Sequence, residues 1–588
     1  MSTAIVTGQP VPGSSLETDL RALGFEVLAA ADAADARNLL AAVPADRRVA
    51  LVDARFVGHL HALRLGLTDP RFPLAAIPGA VTAQPAGRQA LGRALAREAA
   101  AGGGTDLAVD GLVTALDADV HRPELGSLVA AVPDDPQARN EVRQAVAAVD
   151  DEAVRLKSAV KSRDGFFTTF FISPYSRYIA RWCARRGLTP NQVTTASLLT
   201  ALIAAACAAT GTRIGFVAAG ALLICSFVLD CTDGQLARYS LQYSTLGAWL
   251  DATFDRAKEY AYYAGLALGA ARGGDDVWAL ALGAMILQTC RHVVDFSFNE
   301  ANHDATANTS PTAALSDKLD SVGWTVWVRR MIVLPIGERW ALIAVLTAAT
   351  TPRITFYVLL VGCAFAATYT TAGRVLRSLT RKARRTDRAA KALADLADNG
   401  PLAGFVSRTM RAPLGSPFLV ALAGVAVLTV SLFSGVTWAP VVGAFVYALA
   451  SGQALARPLK GALDWLVPPL FRAAEYGTVL ILASKAGVNG ALPAAFGLVA
   501  AVAYHHYDTV YRIRGDAGAP PAWLVRAVGG QEGRTLLVTV LAAALTAAQF
   551  KVALTVLAVV VAGLVLVESI RFWVSAGAPA VHDEGEPA

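Results

Sequence analysis

One stretch of the chain sets acidic, small and basic residues at spacings suited to phosphate chemistry. It reads Asp230-Cys-Thr-Asp233-Gly234-Gln-Leu-Ala237-Arg238, then eight residues to Gly247, then Asp251 and Asp255. On helices, residues three or four apart share a face, so Asp230 pairs with Asp233 and Asp251 with Asp255. A short connection between two such helices brings four carboxylates to one end of a hairpin. Beside a bilayer each carboxylate costs about 2.5–3.5 kcal/mol, so four together require paired cations or metal ions. Oxygen donors without His or Cys favour Mg²⁺, Mn²⁺ or Ca²⁺ over zinc. Gly234, Ala237 and Gly247 leave room for a flat base or a close-packed pyrophosphate, and Arg238 offers a planar fork to phosphate oxygens. A charged loop or a cation-conducting acidic cluster would explain the acids but not the small residues and arginine among them.

The elements around these residues are those of a membrane. Of 588 residues 54% are hydrophobic and 17% charged, with mean hydropathy +0.45, which excludes a disordered, collagen-like or ordinary soluble chain. Apolar segments predict spans at residues 193–210, 213–231, 246–270, 277–298, 339–351 and 354–373, the first opened by Thr189-Pro190-Asn191. The third is masked in hydropathy by Asp251, Asp255, Arg256, Lys258 and Glu259. Basic runs at 155–186 and 374–391 flank these six, and an even span count puts both on one side, as the positive-inside rule asks of cytoplasmic segments. Six more spans are expected at 417–434, 437–454, 466–484, 490–507, 535–550 and 552–573. The basic excess lacks interleaved lysines and aromatics and reads as loop charge, not as a nucleic-acid surface.

The first 150 residues differ in kind, with 18 acidic and 13 basic side chains, net −5 against net +11 for the rest. Short apolar runs (Thr3 to Thr7, Phe25 to Ala29, Val49 to Val52, Leu112 to Leu116) alternate with helical-period segments (Leu16 to Leu23, Ala33 to Ala42, Gly87 to Ala100) and predict a soluble α/β domain. Gly8 to Ser15 holds two prolines and no GxGxxG turn, so a degenerate or regulatory domain is favoured over an active nucleotide site. The N-terminus shows no charged segment followed by an apolar one, and no signal peptide is expected. Six cysteines lie in or beside apolar stretches without a CxxC pair and read as small apolar residues.

The ordered pattern DxxDGxxAR(x8)GxxxDxxxD matches the signature of the CDP-alcohol phosphotransferase family at every specified position, and the resemblance spans roughly residues 160–380. It implies a six-helix membrane fold with a cytoplasmic site and two divalent ions, Mg²⁺ or Mn²⁺. It also implies displacement of CMP from CDP-diacylglycerol or another CDP-alcohol by an acceptor alcohol, in phospholipid or related phosphodiester synthesis. Carried over by position, Asp230, Asp233, Asp251 and Asp255 are metal ligands. Asp255 is also the general base, and Asp233, Gly234, Ala237, Arg238 and Gly247 line the CDP site. The same resemblance implies a homodimer; the expected place is the bacterial cell membrane, with the N-terminal domain cytoplasmic because no signal peptide is expected and the basic flanks fall on that side. Arg291, Arg353 and Arg374 are the arginines read as holding a phosphorylated acceptor, with positive-inside or outer-loop charge as the alternative for the last two. Lys161-Ser-Arg-Asp164-Gly165 is similar to the bifunctional relatives that make and use CDP-inositol, although the head lacks their glycine-rich turn.

The expected organisation is a multi-pass α-helical membrane protein with an N-terminal soluble α/β domain. Residues 1–145 form a cytosolic α/β domain that resembles a degenerate nucleotidyltransferase, 146–190 a basic juxtamembrane connector and 191–380 the transferase bundle. Residues 381–411 form a basic cytosolic linker, 412–575 a second membrane module resembling an uncharacterised bacterial domain, and 576–588 a disordered tail. In the second module Arg472 and Glu475 read as a structural pair. His505, His506, Asp508 and the loop 529–534 read as facing the cytosol. The reading from another class is a scaffold or lipid transporter that retains the fold.

Overall fold

The computed structural model describes residues 2–9, 11–100, 108–161, 164–304, 327, 331–380, 384–409 and 415–575. The expected disordered tail, 576–588, lies outside them. In the N-terminal domain the alternating runs pair as a five-stranded mixed sheet of β1 (Ser2–Thr7), β2 (Phe25–Ala30), β3 (Val49–Asp53), β5 (Leu74–Ile77) and β6 (Ala80–Ala83), in the order β2-β1-β3-β6-β5. β1 runs parallel to β2 and β3, whereas β6 is antiparallel to β3 and β5. A two-residue pairing joins β4 (Val57–Gly58) to β7 (Ala130–Ala131).

Helices α1 (Leu16–Ala22), α2 (Ala33–Ala42), α3 (Leu60–Leu67), α4 (Arg88–Ala100), α5 (Val109–Thr114) and α6 (Pro136–Ala147) complete the domain. Residues 112–116 were expected as a strand, but Val109, Leu112 and Val113 are buried at helical spacing within α5. The edge position beyond β3 is occupied by the β5–β6 hairpin, whose small residues give little strand signal.

The connector folds as α7 (Asp151–Ser158) and α8 (Ser173–Arg185). Tyr175, Tyr178 and Trp182 are exposed along the latter, and Phe170 and Phe171 in the helical turn just before it, among arginines, as suits a helix at headgroup level.

The six segments that follow are α9 (Pro190–Ala209), α10 (Arg213–Ser240), α11 (Thr245–Arg272), α12 (Trp278–Asn302), α13 (Ile336–Ala349) and α14 (Pro352–Thr380). A capping box between Thr189 and Gln192, with Pro190 in the first turn, starts α9. α11 lies against α9 almost backbone to backbone. A Cβ at Gly265 would stand 2.3 Å from the Ala205 carbonyl oxygen, and one at Gly269 would stand 2.1 Å from that of Ala208.

Beyond α14 the stretch expected as a linker carries α15 (Asp387–Leu396) and α16 (Pro401–Thr409), which bury Ala389, Leu393 and Leu396. The second block contains α17 (Pro417–Leu432), α18 (Ala439–Ala454), α19 (Val467–Lys485), α20 (Ala491–Arg514), α21 (Ala522–Val528), α22 (Gly530–Ala544) and α23 (Ala547–Ser575). Among the described residues five helices are long and apolar enough to cross a membrane: Pro190–Ala209, Arg213–Ser240, Pro352–Thr380, Asp464–Lys485 and Ala547–Ser575. The protein is therefore a multi-pass helical membrane protein with an N-terminal α/β domain. One continuous buried cluster runs through both membrane blocks, from Phe227 and Tyr263 to Tyr447 and Val565.

Candidate active site

The two acidic faces meet at the end of the bundle that carries α8. Asp230 and Asp233 lie two to three turns before the C-terminus of α10, and Asp251 and Asp255 lie equally far from the N-terminus of α11, so the short turn between them matches their depths. Ser244 caps α11 by accepting from Gly247 N (2.9 Å). Asp230, Asp233 and Asp251 each offer an oxygen within 4.8 Å of the others. Asp233 is buried, and its Oδ2 has no hydrogen-bond partner. A buried acceptor left open within a carboxylate cluster fits a divalent cation, since an unsatisfied charge there is costly.

Asp255 is placed differently. Its Oδ1 lies 2.9 Å from Nζ of Lys258, which is fully buried, also contacts Asp230, and donates to Ser197 Oγ at 3.2 Å. The ammonium thus stands between one carboxylate of α10 and one of α11. Sequence reasoning missed this role, although a lysine inside an apolar helix three residues from an aspartate is itself the signal of a required partner. One turn deeper, Glu259 is fully engaged: it accepts from Arg256 (3.0 Å) and Tyr263 (2.7 Å) and pairs with Arg339 of α13 (3.1 Å).

The small residues have separate reasons. A Cβ at Gly247 would meet the side-chain oxygen of Asn191 at 2.7 Å, so this glycine lets the Thr-Pro-Asn turn close over the start of α11. A Cβ at Gly234 would sit 3.5 Å from the Arg238 guanidinium, in the space alongside that side chain. Arg238 is anchored from the N-terminal side, its Nε donating to the Ala159 carbonyl at 2.6 Å. The next residue, Tyr239, is gripped by α7. Arg155 donates to its carbonyl (2.8 Å) and stacks 3.5 Å above its ring, while the Tyr239 hydroxyl donates to Glu152 (2.8 Å). Burial, with Arg64 close by, pulls the Arg155 guanidinium down to about 10, still a cation at neutral pH.

The three arginines expected at an acceptor site are not brought together. Arg291 is buried in α12 and donates to the carbonyls of Val333 and Leu334; Arg374 pairs with Asp295 and lies 5.4 Å over the Phe298 ring. Arg353 stands at the opposite end of the bundle, bound to Asp275 at 2.8 Å. The length of α11 between Asp255 and Arg272, about 25 Å, separates that end from the carboxylates and removes Arg353 from the site.

In the second block Arg472 and Glu475 do pair (2.8 Å), within a wholly buried set that includes Asp398, Arg534 and His505. His505, His506 and Asp508 are buried, not cytosol-facing, and residues 530–534 open α22 instead of forming a loop. The reason is packing: His505 of α20 and Arg534 of α22 meet Asp398 just beyond α15 and Glu475 of α19 out of water, while Asp508 faces Ser569 and Trp573 of α23.

Residues 187–366 match the family model described as CDP-alcohol phosphatidyltransferase, and residues 387–588 match a family of unknown function, DUF5941. The chain thus carries a CDP-alcohol phosphatidyltransferase domain, built on the α9–α14 bundle and its carboxylate end. It is similar to a phosphatidylinositol phosphate synthase of Mycolicibacterium smegmatis, 38% identical over 122 residues that cover 21% of this chain and 53% of the relative. It is 32% identical over 114 residues to a bifunctional IPC transferase and DIPP synthase of Aquifex aeolicus, covering 19% of this chain and 26% of that protein. It is also 32% identical over 113 residues to an archaetidylinositol phosphate synthase of Pyrococcus horikoshii, covering 19% and 58%. In each case the chain spans less than two thirds of the relative.

Proposed function

We propose that the protein transfers a phosphoalcohol group from a CDP-alcohol, CDP-diacylglycerol in the first instance, to the hydroxyl of an acceptor alcohol with release of CMP. The observation that carries this reading is the convergence of Asp230, Asp233 and Asp251 within the ordered Gly/Ala/Arg pattern. Asp230, Asp233 and Asp251, with Asp255 beside them, would hold two Mg²⁺ or Mn²⁺ ions. When bound, these ions supply charge neutralisation on the pyrophosphate.

The chain's own residues do the rest. Arg238, held by Ala159, presents its fork to donor phosphate oxygens, the space at Gly234 admits the nucleotide, and Gly247 lets the Thr-Pro-Asn turn close at the edge of that site. Asp255 takes the proton of the acceptor hydroxyl as its oxygen attacks the β-phosphorus and the bond to CMP breaks. Lys258 compensates its charge and fixes its orientation. The acceptor is read as an inositol phosphate, supported by the names of the relatives, with Arg291 and Arg374 as the arginines on its side of the bundle. Orientation with the carboxylate end cytoplasmic in a bacterial cell membrane, and a homodimer, belong to the same proposal.

The test is purified full-length protein with CDP-diacylglycerol, Mn²⁺ or Mg²⁺ and a panel of acceptors: inositol phosphate, glycerol phosphate, serine and phosphatidylglycerol. CMP release with a new lipid, abolished by chelation, is expected. No CMP with any donor and acceptor would favour a lipid scaffold or transporter.

A further inference from the structure

The half of α11 that carries Asp251 and Asp255 is held from outside the transferase domain. Two residues before Asp251, the Trp249 indole stacks on Trp573 of α23, with centroids 6.3 Å apart and planes 20° apart. One residue after Asp255, the Arg256 guanidinium lies 5.3 Å over the ring of Tyr507 of α20 while donating on its other side to Glu259. The Tyr507 ring also packs against His292 of α12 at 4.6 Å, so it is wedged between the two helices that form this face of the bundle.

Neither contacting ring is free to drift. The Trp573 indole N–H donates to Asp508 Oδ1 at 2.6 Å, and Ser569 donates to the same oxygen at 2.7 Å. Asp508 is paired with Arg512 at 2.9 Å, and Arg512 in turn donates to Glu568 at 3.0 Å. A hydrogen-bonded network of this kind inside the apolar block is costly to disturb, and it presents Trp573 to Trp249 at a set height. Stacked and cation–aromatic contacts add direction to that packing. Asp251 reaches Asp230 and Asp233 only if α11 keeps its rotation and its slide relative to α10.

We propose that the C-terminal module, for which the family match gives no activity, is the positioning partner of the carboxylate site. Tyr507 and Trp573 hold the first three turns of α11 in the register that brings Asp251 to Asp230 and Asp233. This rests on the reading of those carboxylates as divalent-cation ligands. Tyr507 and Trp573 are positioning residues, since they touch Arg256 and Trp249 and not the carboxylates.

The experiment measures Mn²⁺ binding to detergent-solubilised full-length protein by the loss of the free-ion paramagnetic resonance signal, together with the thermal unfolding midpoint. Tyr507→Leu and Trp573→Leu are expected to weaken Mn²⁺ binding by about tenfold, as loss of support behind metal ligands does. Tyr507→Phe, which keeps the ring, is expected to bind as wild type. Asp233→Asn is the reference for loss of the site. Leucine variants that melt earlier yet bind Mn²⁺ with wild-type affinity below their transition would overturn the proposal. So would a Tyr507→Phe variant as impaired as Tyr507→Leu. Wild-type protein that binds Mn²⁺ no better than Asp233→Asn would instead remove the metal reading beneath it.

Discussion

Lys258 and Asp255 are three residues apart on α11, and the Lys258 ammonium, 2.9 Å from the Asp255 carboxylate, also touches Asp230 across the helix interface. A single buried cation therefore ties together two of the four motif acids. Lys258→Met leaves both acids without it, and breaking a buried pair of this kind costs about 3–5 kcal/mol. The thermal midpoint in metal-free detergent solution should fall, and Mg²⁺ should restore more of it than in wild type, because the ion takes over part of the compensation. An unchanged midpoint would show that the contact carries no stability.

Asp255→Asn keeps the shape of the side chain and removes its ability to take a proton. CMP release should drop by about a hundredfold or more, while binding of the CDP-alcohol stays largely intact. Parallel measurement of turnover and donor binding separates the two. Wild-type-like CMP release would sink the assignment of the base.

The grip of α7 on the motif predicts a donor-side phenotype from residues outside the bundle. Tyr239→Phe removes the hydroxyl that donates to Glu152, and Arg155→Ala removes the contacts above and beside Tyr239. Each should raise the donor KM by about three- to tenfold, the worth of one such contact, with kcat little changed. Steady-state kinetics with varied CDP-alcohol would check this, and an effect on kcat alone would count against it.

His61 of α3 is buried with both ring nitrogens unpartnered. Burial first, then Arg155 and Arg64, pull it from 6.5 down to about 3. The imidazole is neutral in the folded domain and protonates sooner when unfolded. Its contribution is thus fully present above about pH 6.5 and is lost as pH falls toward 3, by up to a few kcal/mol. His61→Leu should flatten the acid dependence of N-terminal domain protection, measured by hydrogen exchange of α3 across pH 4 to 7 after correction for intrinsic rates. An equal slope in both proteins would exclude His61 as its source.

Much of the framework is legible before any contact is known. The spans at 193–210 and 213–231 are continuous apolar runs, and the strands 3–7 and 49–52 are short β-branched or alanine-rich runs bounded by turns. The hairpin of β5 and β6 escaped because Leu74–Ile77 and Ala80–Ala83 lack both length and alternation, and every one of their residues is buried. In the second block the polar faces of α20 and α22 look like surface by composition. Buried opposite charges and exposed ones have the same sequence signature, and only packing separates them.

Sequence alone determined where four carboxylates, two glycines, an alanine and an arginine stand along two helices, because helical periodicity converts spacing into a face without reference to the rest of the chain. Tertiary structure decided which of those acids share one site and which is tied to Lys258. It also decided that Arg353 belongs to the other end, that Ala159, just past α7, anchors Arg238, and that Tyr507 and Trp573 brace α11 from more than two hundred residues away. Periodicity reports the direction in which a side chain points. What waits there is set by how helices distant in the chain pack, and in an apolar interior that packing selects the partner for every charge.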